Sequence, residues 1–172
     1  MFTEKTFINP KLEIKNSPIA GKGIFAKEDI PKDEIIIKWG GEFFTTEEAK
    51  RKNKNDFLII QIDEDLWSIE KRGEYEDDYY INHSCNSNSW MIDGRTFVAK
   101  RDIKKGEEIT VDYALFESED YISKWECKCG SPDCRKRITG KDCLIPNVQK
   151  KYNLHFSLMV QKRIDKSRPS VS

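Results

Sequence analysis

Asn82-His83-Ser84-Cys85 and Gly106-Glu107-Glu108-Ile109-Thr110-Val111-Asp112-Tyr113 are the two stretches on which the reading of this chain turns. Between them, Ser89 to Ile92 and Thr96 to Lys100 read as paired strands. Their β-branched and aromatic residues flank Asp93-Gly94, a dipeptide that accepts the positive φ angles of a type I′ hairpin turn. Ile109 to Tyr113 reads as a further strand.

Working outward, Lys11 to Lys15, Gly23 to Ala26, Glu34 to Trp39, Phe57 to Ile62 and Leu66 to Ile69 have the composition of short strands. Ser17-Pro18 and Ile30-Pro31-Lys32-Asp33 break them. Thr45-Thr46-Glu47-Glu48 has the form of a capping box, which predicts a short helix running to about Asn53. After Asp142 the apolar spacing becomes helical: Val148, Tyr152, His155, Phe156, Met159 and Ile164 predict one or two amphipathic helices over 146–165, with a break near Asn153. Ser167 to Ser172 reads as a disordered end. The pattern alone gives a β-rich α+β chain with no internal repeat.

The 172 residues suffice for one domain with a core, and 37% apolar with 35% charged residues is a soluble composition. No apolar run approaches the length of a membrane span. Met1-Phe2-Thr3-Glu4-Lys5 lacks a secretory signal, so the expectation is a cytoplasmic protein whose five cysteines stay reduced and favour metal over disulfides. Net charge is zero but uneven, since residues 127–172 carry 11 basic against 3 acidic side chains. Residues 56–78 hold nine acidic ones, Asp56, Asp63, Glu64, Asp65, Glu70, Glu74, Glu76, Asp77 and Asp78, against Lys71 and Arg72. Such a face attracts a basic peptide or merely keeps the chain soluble.

Two constellations carry chemistry. Ala20-Gly21-Lys22-Gly23-Ile24 contains a Gly-x-Gly, which lets backbone approach a ligand closely. A third glycine opening a helix, as a dinucleotide fold requires, is missing. Cys127-Lys128-Cys129-Gly130-Ser131-Pro132-Asp133-Cys134 supplies three thiolates, and tetrahedral zinc takes four soft ligands. Local geometry allows Cys143 or His155 as a fourth.

Together, NHSC and GEEIT-x-DY in this order resemble the signature segments of SET-domain lysine methyltransferases, and the resemblance covers most of residues 17–137. It implies a SET fold of small curved sheets, with the C-terminal segment threaded so that NHSC and DY become neighbours. It implies an S-adenosylmethionine pocket built from Ala20, Gly21, Lys22, Gly23, Asn82 and His83, with Phe116 and Lys128 as further contacts. It makes Tyr113 the catalytic residue, beside the transferring methyl and the incoming amine. Trp39-Gly40-Gly41-Glu42 resembles the family's Y-x-G-E, placing Trp39 with Val111 along the lysine channel, while Trp125 either covers the site or packs. The resemblance assigns the fourth zinc position to Cys85 beside Cys127, Cys129 and Cys134, leaving Cys143 a free thiol and His155 a packing residue.

The implied activity is methyl transfer to the ε-amine of lysine in a basic protein substrate, such as a histone-like or ribosomal protein. A lysine entering an apolar channel loses hydration, which favours the reactive neutral amine. The alternative is a zinc-containing module without turnover that binds a protein or nucleic-acid partner. Direct nucleic-acid binding is not expected, nor membrane association, and a monomer or weak dimer is. The implied divisions are a SET domain over 1–116, a cysteine segment over 117–140 and a helical extension over 141–172, the last resembling small bacterial SET proteins. Two departures stand out. Tyr79-Tyr80-Ile81 replaces the arginine and phenylalanine common before NHSC, and Val111 stands where phenylalanine or tyrosine is common. The smaller valine implies room for di- or trimethylation.

Overall fold

The computed structural model describes residues 2–52, 56–71, 77–117 and 120–168. Along these residues run β1 (Phe2–Glu4), β2 (Phe7–Ile8), β3 (Leu12–Asn16), β4 (Lys22–Ala26), β5 (Ile35–Lys38), β6 (Gly41–Phe44), β7 (Phe57–Asp63), β8 (Leu66–Lys71), β9 (Asn82–His83), β10 (Ser89–Met91), β11 (Thr96–Ala99) and β12 (Glu108–Val111). Helices α1 (Thr46–Lys50), α2 (Pro146–Tyr152) and α3 (Leu158–Ser167) complete the β-rich arrangement. Among them no helix is long and apolar enough to cross a membrane.

The strands form three small sheets, ordered β1-β6-β8-β7, β10-β11-β5-β2 and β3-β4-β12-β9. The last contains the decisive junction. β12 pairs antiparallel with β4, and on its other edge parallel with β9, so that Thr110 faces Asn82 and Val111 faces His83. A two-residue strand is marginal by itself, and side chains extend the seam. Asn88 accepts from the Thr110 N–H and donates to the Glu108 carbonyl, 2.9 Å each, while the Ser89 hydroxyl donates to the Thr110 carbonyl at 2.7 Å.

A single main core joins the sheets to the C-terminal helices. Ile24, Ile36, Ile37, Met91, Phe97, Ile109 and Leu115 from the sheet region pack with Tyr152, Phe156, Val160 and Ile164. Each large apolar side chain removed from water contributes about 1.5–3 kcal/mol, so the extension is part of the folded unit rather than an appendage. His155 stacks on Trp90 with ring centroids 3.6 Å apart and donates or accepts at the Met91 carbonyl, which makes it a packing residue.

Several local expectations hold for physical reasons. The capping box at α1 is formed in both directions, the Glu48 N–H donating to the Thr45 hydroxyl and the Thr45 N–H to the Glu48 carboxylate. The C-terminal helices are two, interrupted at Asn153, whose φ of 44° is a conformation asparagine tolerates better than most residues.

Others need correction. The hairpin turn is not type I′: neither Asp93 nor Gly94 has positive φ. Instead the Asp93 carboxylate accepts from the N–H groups of Arg95 and Thr96 and from the Thr96 hydroxyl, an Asx turn. Gly94 is needed for close approach, because a Cβ there would lie 3.0 Å from the Ile62 carbonyl oxygen. Tyr113 is not in a strand. β12 ends at Val111, and Asp112 caps a 3-10 turn over Tyr113–Leu115. Ser167 ends α3 rather than beginning a disordered tail, and residues 169–172 lie outside the described residues, as do 53–55 and 72–76. β1, β2, β6 and β9 had no expectation.

Candidate active site and metal centre

The Gly-x-Gly segment is held against β12 by three polar side chains. The Asn82 carboxamide donates to the Ala20 carbonyl (3.3 Å), the Lys22 carbonyl (2.9 Å) and the Glu108 carboxylate (2.7 Å). Glu108 also accepts from the Ser17 hydroxyl, whose oxygen in turn accepts from the N–H groups of Ile19 and Ala20. Gly21 has φ of 49°, and Gly23 is enclosed so that a Cβ would run into the Glu108 carboxylate and Asn82 amide. The loop thus turns its Ala20, Gly21 and Lys22 face outward while its back is fully occupied. In the sequence Glu108 is one letter of the quoted motif and Ser17 marks a break, so neither role is visible there. Their role depends on strand register, which places Glu108 opposite Phe25, two residues past Gly23.

Tyr113 lies at the other end of the same seam. Its hydroxyl donates to the Ile81 carbonyl at 3.1 Å, and its N–H donates to His83 Nδ1 at 3.2 Å. The second bond makes Nδ1 an acceptor, so the His83 proton sits on Nε2, facing Cys85 Sγ at 3.3 Å. Burial holds His83 neutral, lowered to about 4 against the opposing pull of Asp112. Burial also drives the Tyr113 phenol well above its ordinary value, with Tyr121 and Glu117 pushing the same way. It is a neutral hydroxyl at any physiological pH, an oriented dipole rather than a base.

Aromatic side chains pack around the Tyr113 ring. Phe116 lies 5.5 Å and Trp125 6.2 Å from the Tyr113 ring, and Trp39 meets Phe116 at 5.1 Å and Phe97 at 4.7 Å. Trp125 is 43% exposed and also neighbours His83 at 5.9 Å, so it covers the seam from the solvent side. Tyr121, 6.4 Å from Tyr113 and raised to about 12 by burial, joins this cluster without having been anticipated. Only its aromatic character could have signalled it. Val111 is fully enclosed in the main core, and Lys128 is exposed between Cys127 and Cys129. The Tyr79-Tyr80-Ile81 departure acquires content here: Ile81 supplies the carbonyl under Tyr113, and Tyr80 lies 5.4 Å beneath the Lys22 ammonium.

Cys85, Cys127, Cys129 and Cys134 bring their sulfurs within 4.8 Å of one another. Around one zinc at about 2.3 Å per bond, tetrahedral sulfurs sit roughly 3.8 Å apart, so this set fits a metal with small adjustment. Cys143 is elsewhere, buried and donating to the Gly140 carbonyl, and remains a free thiol. Burial raises the Cys85 thiol to about 11 and moves Cys127 upward too. At Cys129 burial also pushes up, but N–H groups of Ser131 and Cys85 with the neighbouring thiols prevail, bringing it to about 7. A cation is what would let all four ionise together.

The SET domain family matches residues 21–114, more than half of the chain. This chain belongs to the SET-domain family. Among curated relatives, the SET domain of this protein is similar to histone-lysine N-methyltransferase ASHH3 of Arabidopsis thaliana, 34% identical over 142 residues, 74% of this chain and 38% of that protein. Histone-lysine N-methyltransferase trr of Drosophila melanogaster is 37% identical over 137 residues, 72% of this chain and 6% of that protein. The H3 lysine-4 specific histone-lysine N-methyltransferase of Schizosaccharomyces pombe is 34% identical over 140 residues, 73% of this chain and 15% of that protein. The chain therefore spans well under half the length of these relatives. Within the SET domain, the parallel seam of β9 and β12 is what places the NHSC and DY segments side by side.

Proposed function

We propose that this SET domain transfers a methyl group from S-adenosylmethionine to the ε-amine of a lysine in a basic protein segment. The observation that carries the reading is Tyr113, its hydroxyl fixed on the Ile81 carbonyl and its ring neighboured by Phe116, Trp125 and Tyr121, next to the Asn82–Cys85 loop. S-adenosylmethionine supplies a methyl already activated on a sulfonium, so the protein needs no nucleophile of its own. Its task is alignment and electrostatics. The Tyr113 oxygen, its proton committed to Ile81, presents lone pairs to the electron-poor methyl and to an N–H of the entering amine. The aromatic cluster excludes water, favours the neutral amine, and suits the methylammonium product through cation–π contact. Asn82 and Glu108 hold the Gly-x-Gly face that would receive the donor, and the four sulfurs would hold a structural zinc.

The relatives' names, histone-lysine N-methyltransferases, support a basic protein as substrate. The acidic stretch is less open to it than the sequence implied. Lys162 of α3 pairs with Asp63 at 3.0 Å and Glu64 at 3.4 Å, and Asp65 accepts the Thr46 N–H. Glu74 and Glu76 lie outside the described residues.

Transfer of tritiated methyl from S-adenosylmethionine to a panel of basic proteins tests the reading. Wild type is expected to label at least one of them, and Tyr113→Phe to lose about 100-fold in rate, the scale for one preorganised polar group at a reacting centre. Equal inactivity of both proteins, with donor still bound, would instead favour a binding module.

A further inference from the structure

Resting on the methyltransferase reading, we infer that Arg135 is a positioning residue for Tyr113, through which docking of the cysteine segment sets the geometry of the catalytic tyrosine. Arg135 directly follows Cys134, and its own N–H points at Cys85 Sγ at 3.4 Å. Its backbone is thus fixed by the sulfur cluster. Its guanidinium runs inward, Nη1 donating to Asp112 Oδ2 at 2.9 Å, Nη2 to Asp112 Oδ1, and Nε to Asp142 Oδ2 at 2.6 Å.

Asp112 is the residue before Tyr113 and has no solvent exposure. Its Oδ1 accepts the Ala114 N–H at 3.0 Å, capping the 3-10 turn that begins with Tyr113. Its Oδ2 also accepts the Tyr152 hydroxyl at 3.0 Å, and Thr139 donates to Asp142 at 2.7 Å. Both Asp112 carboxylate oxygens are therefore committed, and among the described residues the formal positive charge hydrogen-bonded to Asp112 is Arg135, from the cysteine segment. A buried carboxylate stripped of its counter-charge must protonate or move toward water. Either change releases the cap under Tyr113, and displacement of a reacting group by about 1 Å costs about 100-fold in rate.

Lysine cannot replace this arginine. Its ammonium is a point charge, whereas the planar guanidinium engages two carboxylates in three directions. The interaction is also one that spacing could not reveal, because it joins Asp112 to a residue 23 positions later through side chains alone.

The test is Arg135→Lys in the full chain, with kcat, KM for peptide and for S-adenosylmethionine, zinc per chain and melting temperature measured together. The expected result is a fall in kcat of about 10-fold or more, both KM values within about threefold, and zinc unchanged. In a Tyr113→Phe background the same substitution is expected to add less than about twofold, since it acts through that hydroxyl. Tyr152→Phe, which removes one weaker donor to Asp112, is expected to lower kcat by about threefold with zinc intact, and it decides the matter if Arg135→Lys does not fold. An unchanged kcat in Tyr152→Phe, or a loss in Arg135→Lys that follows lost zinc or the unfolded fraction, overturns the inference and leaves the methyltransferase reading standing. Absence of methyl transfer by wild type overturns both.

Discussion

The Asn82–Cys85 loop is gripped at its two ends by unlike devices. At Asn82 the grip is a neutral amide and one carboxylate, bonded to backbone carbonyls 20 and 22 and to Ser17, at a half-exposed surface. At Cys85 it is four sulfurs with a half-buried arginine, 50 residues further along the chain, and two buried carboxylates. The first grip belongs to the sheet itself, since β4, β12 and β9 are adjacent strands and forming the sheet forms the clamp. The second cannot assemble by strand pairing. It closes a long loop, gathers four sulfurs of which burial disfavours the ionisation of Cys85 and Cys127, and so depends on a cation in a way the first does not.

That contrast is broken or kept most visibly by Cys85→Ser. Removing one thiolate of four is expected to drop zinc from one per chain to well below it and to lower the melting midpoint by about 10 °C, taking ~3 kcal/mol at 2–4 °C per kcal/mol for a chain of this size. Amide exchange should quicken through residues 121–140 while β4 and β12 stay protected. Full zinc in Cys85→Ser, with loss in Cys143→Ser, would show that the metal uses another sulfur.

Gly23→Ala probes the opposite end. The added Cβ meets the Glu108 carboxylate and the Asn82 amide, so the loop must shift, at a cost of about 1–3 kcal/mol typical of overpacking. Calorimetry should find S-adenosylmethionine bound at least about tenfold more weakly while zinc stays stoichiometric. If Gly23→Ala sheds zinc, the two grips are coupled and the comparison fails.

How much of this was legible depends on the range of each interaction. The β4 strand, the Thr45 capping box and the Asn153 break are written in neighbouring residues and could be read directly. The Asp93-Gly94 turn is legible as a turn but not in its type, because Asp93 has a local hydrogen-bonding option that competes with the type I′ geometry, and Gly94 answers to Ile62 of a different sheet. Tyr113 was found by resemblance, yet the 3-10 turn beneath it depends on Asp112 and therefore on Arg135, which no local pattern marks. Glu108 was visible as a letter in a motif, and only the register of β12 against β4 gave it the Gly-x-Gly loop to hold.

The adjacent pair Glu107 and Glu108 gives the finest test, since the two are chemically identical and face opposite ways. Glu107 looks outward: its carboxylate accepts both terminal nitrogens of Arg101, at 3.1 and 2.7 Å, and the Lys104 N–H at 2.7 Å. The Arg101 hydrogen bonds, outweighing partial burial and helped by the Lys104 N–H, hold this carboxyl below its ordinary value of 4.5. A carboxylate with a depressed folded value stabilises the fold in full above the unfolded value, and that contribution disappears as pH falls through the folded one. Glu107→Gln is therefore expected to cost about 0.5 kcal/mol at pH 7, the scale of an exposed pair, and to converge on wild type in urea unfolding as pH falls through the lowered folded value of Glu107. Taking the difference between the two proteins at each pH cancels the acid loss of metal from the cysteines, which both share. S-adenosylmethionine binding should be unchanged in Glu107→Gln and weakened in Glu108→Gln, because only the inward carboxylate touches Asn82 and Ser17. Equal effects of the two substitutions on donor binding would mean that the β12 entrance acts as one unit, and that the grip at Asn82 is broader than the three side chains assigned to it.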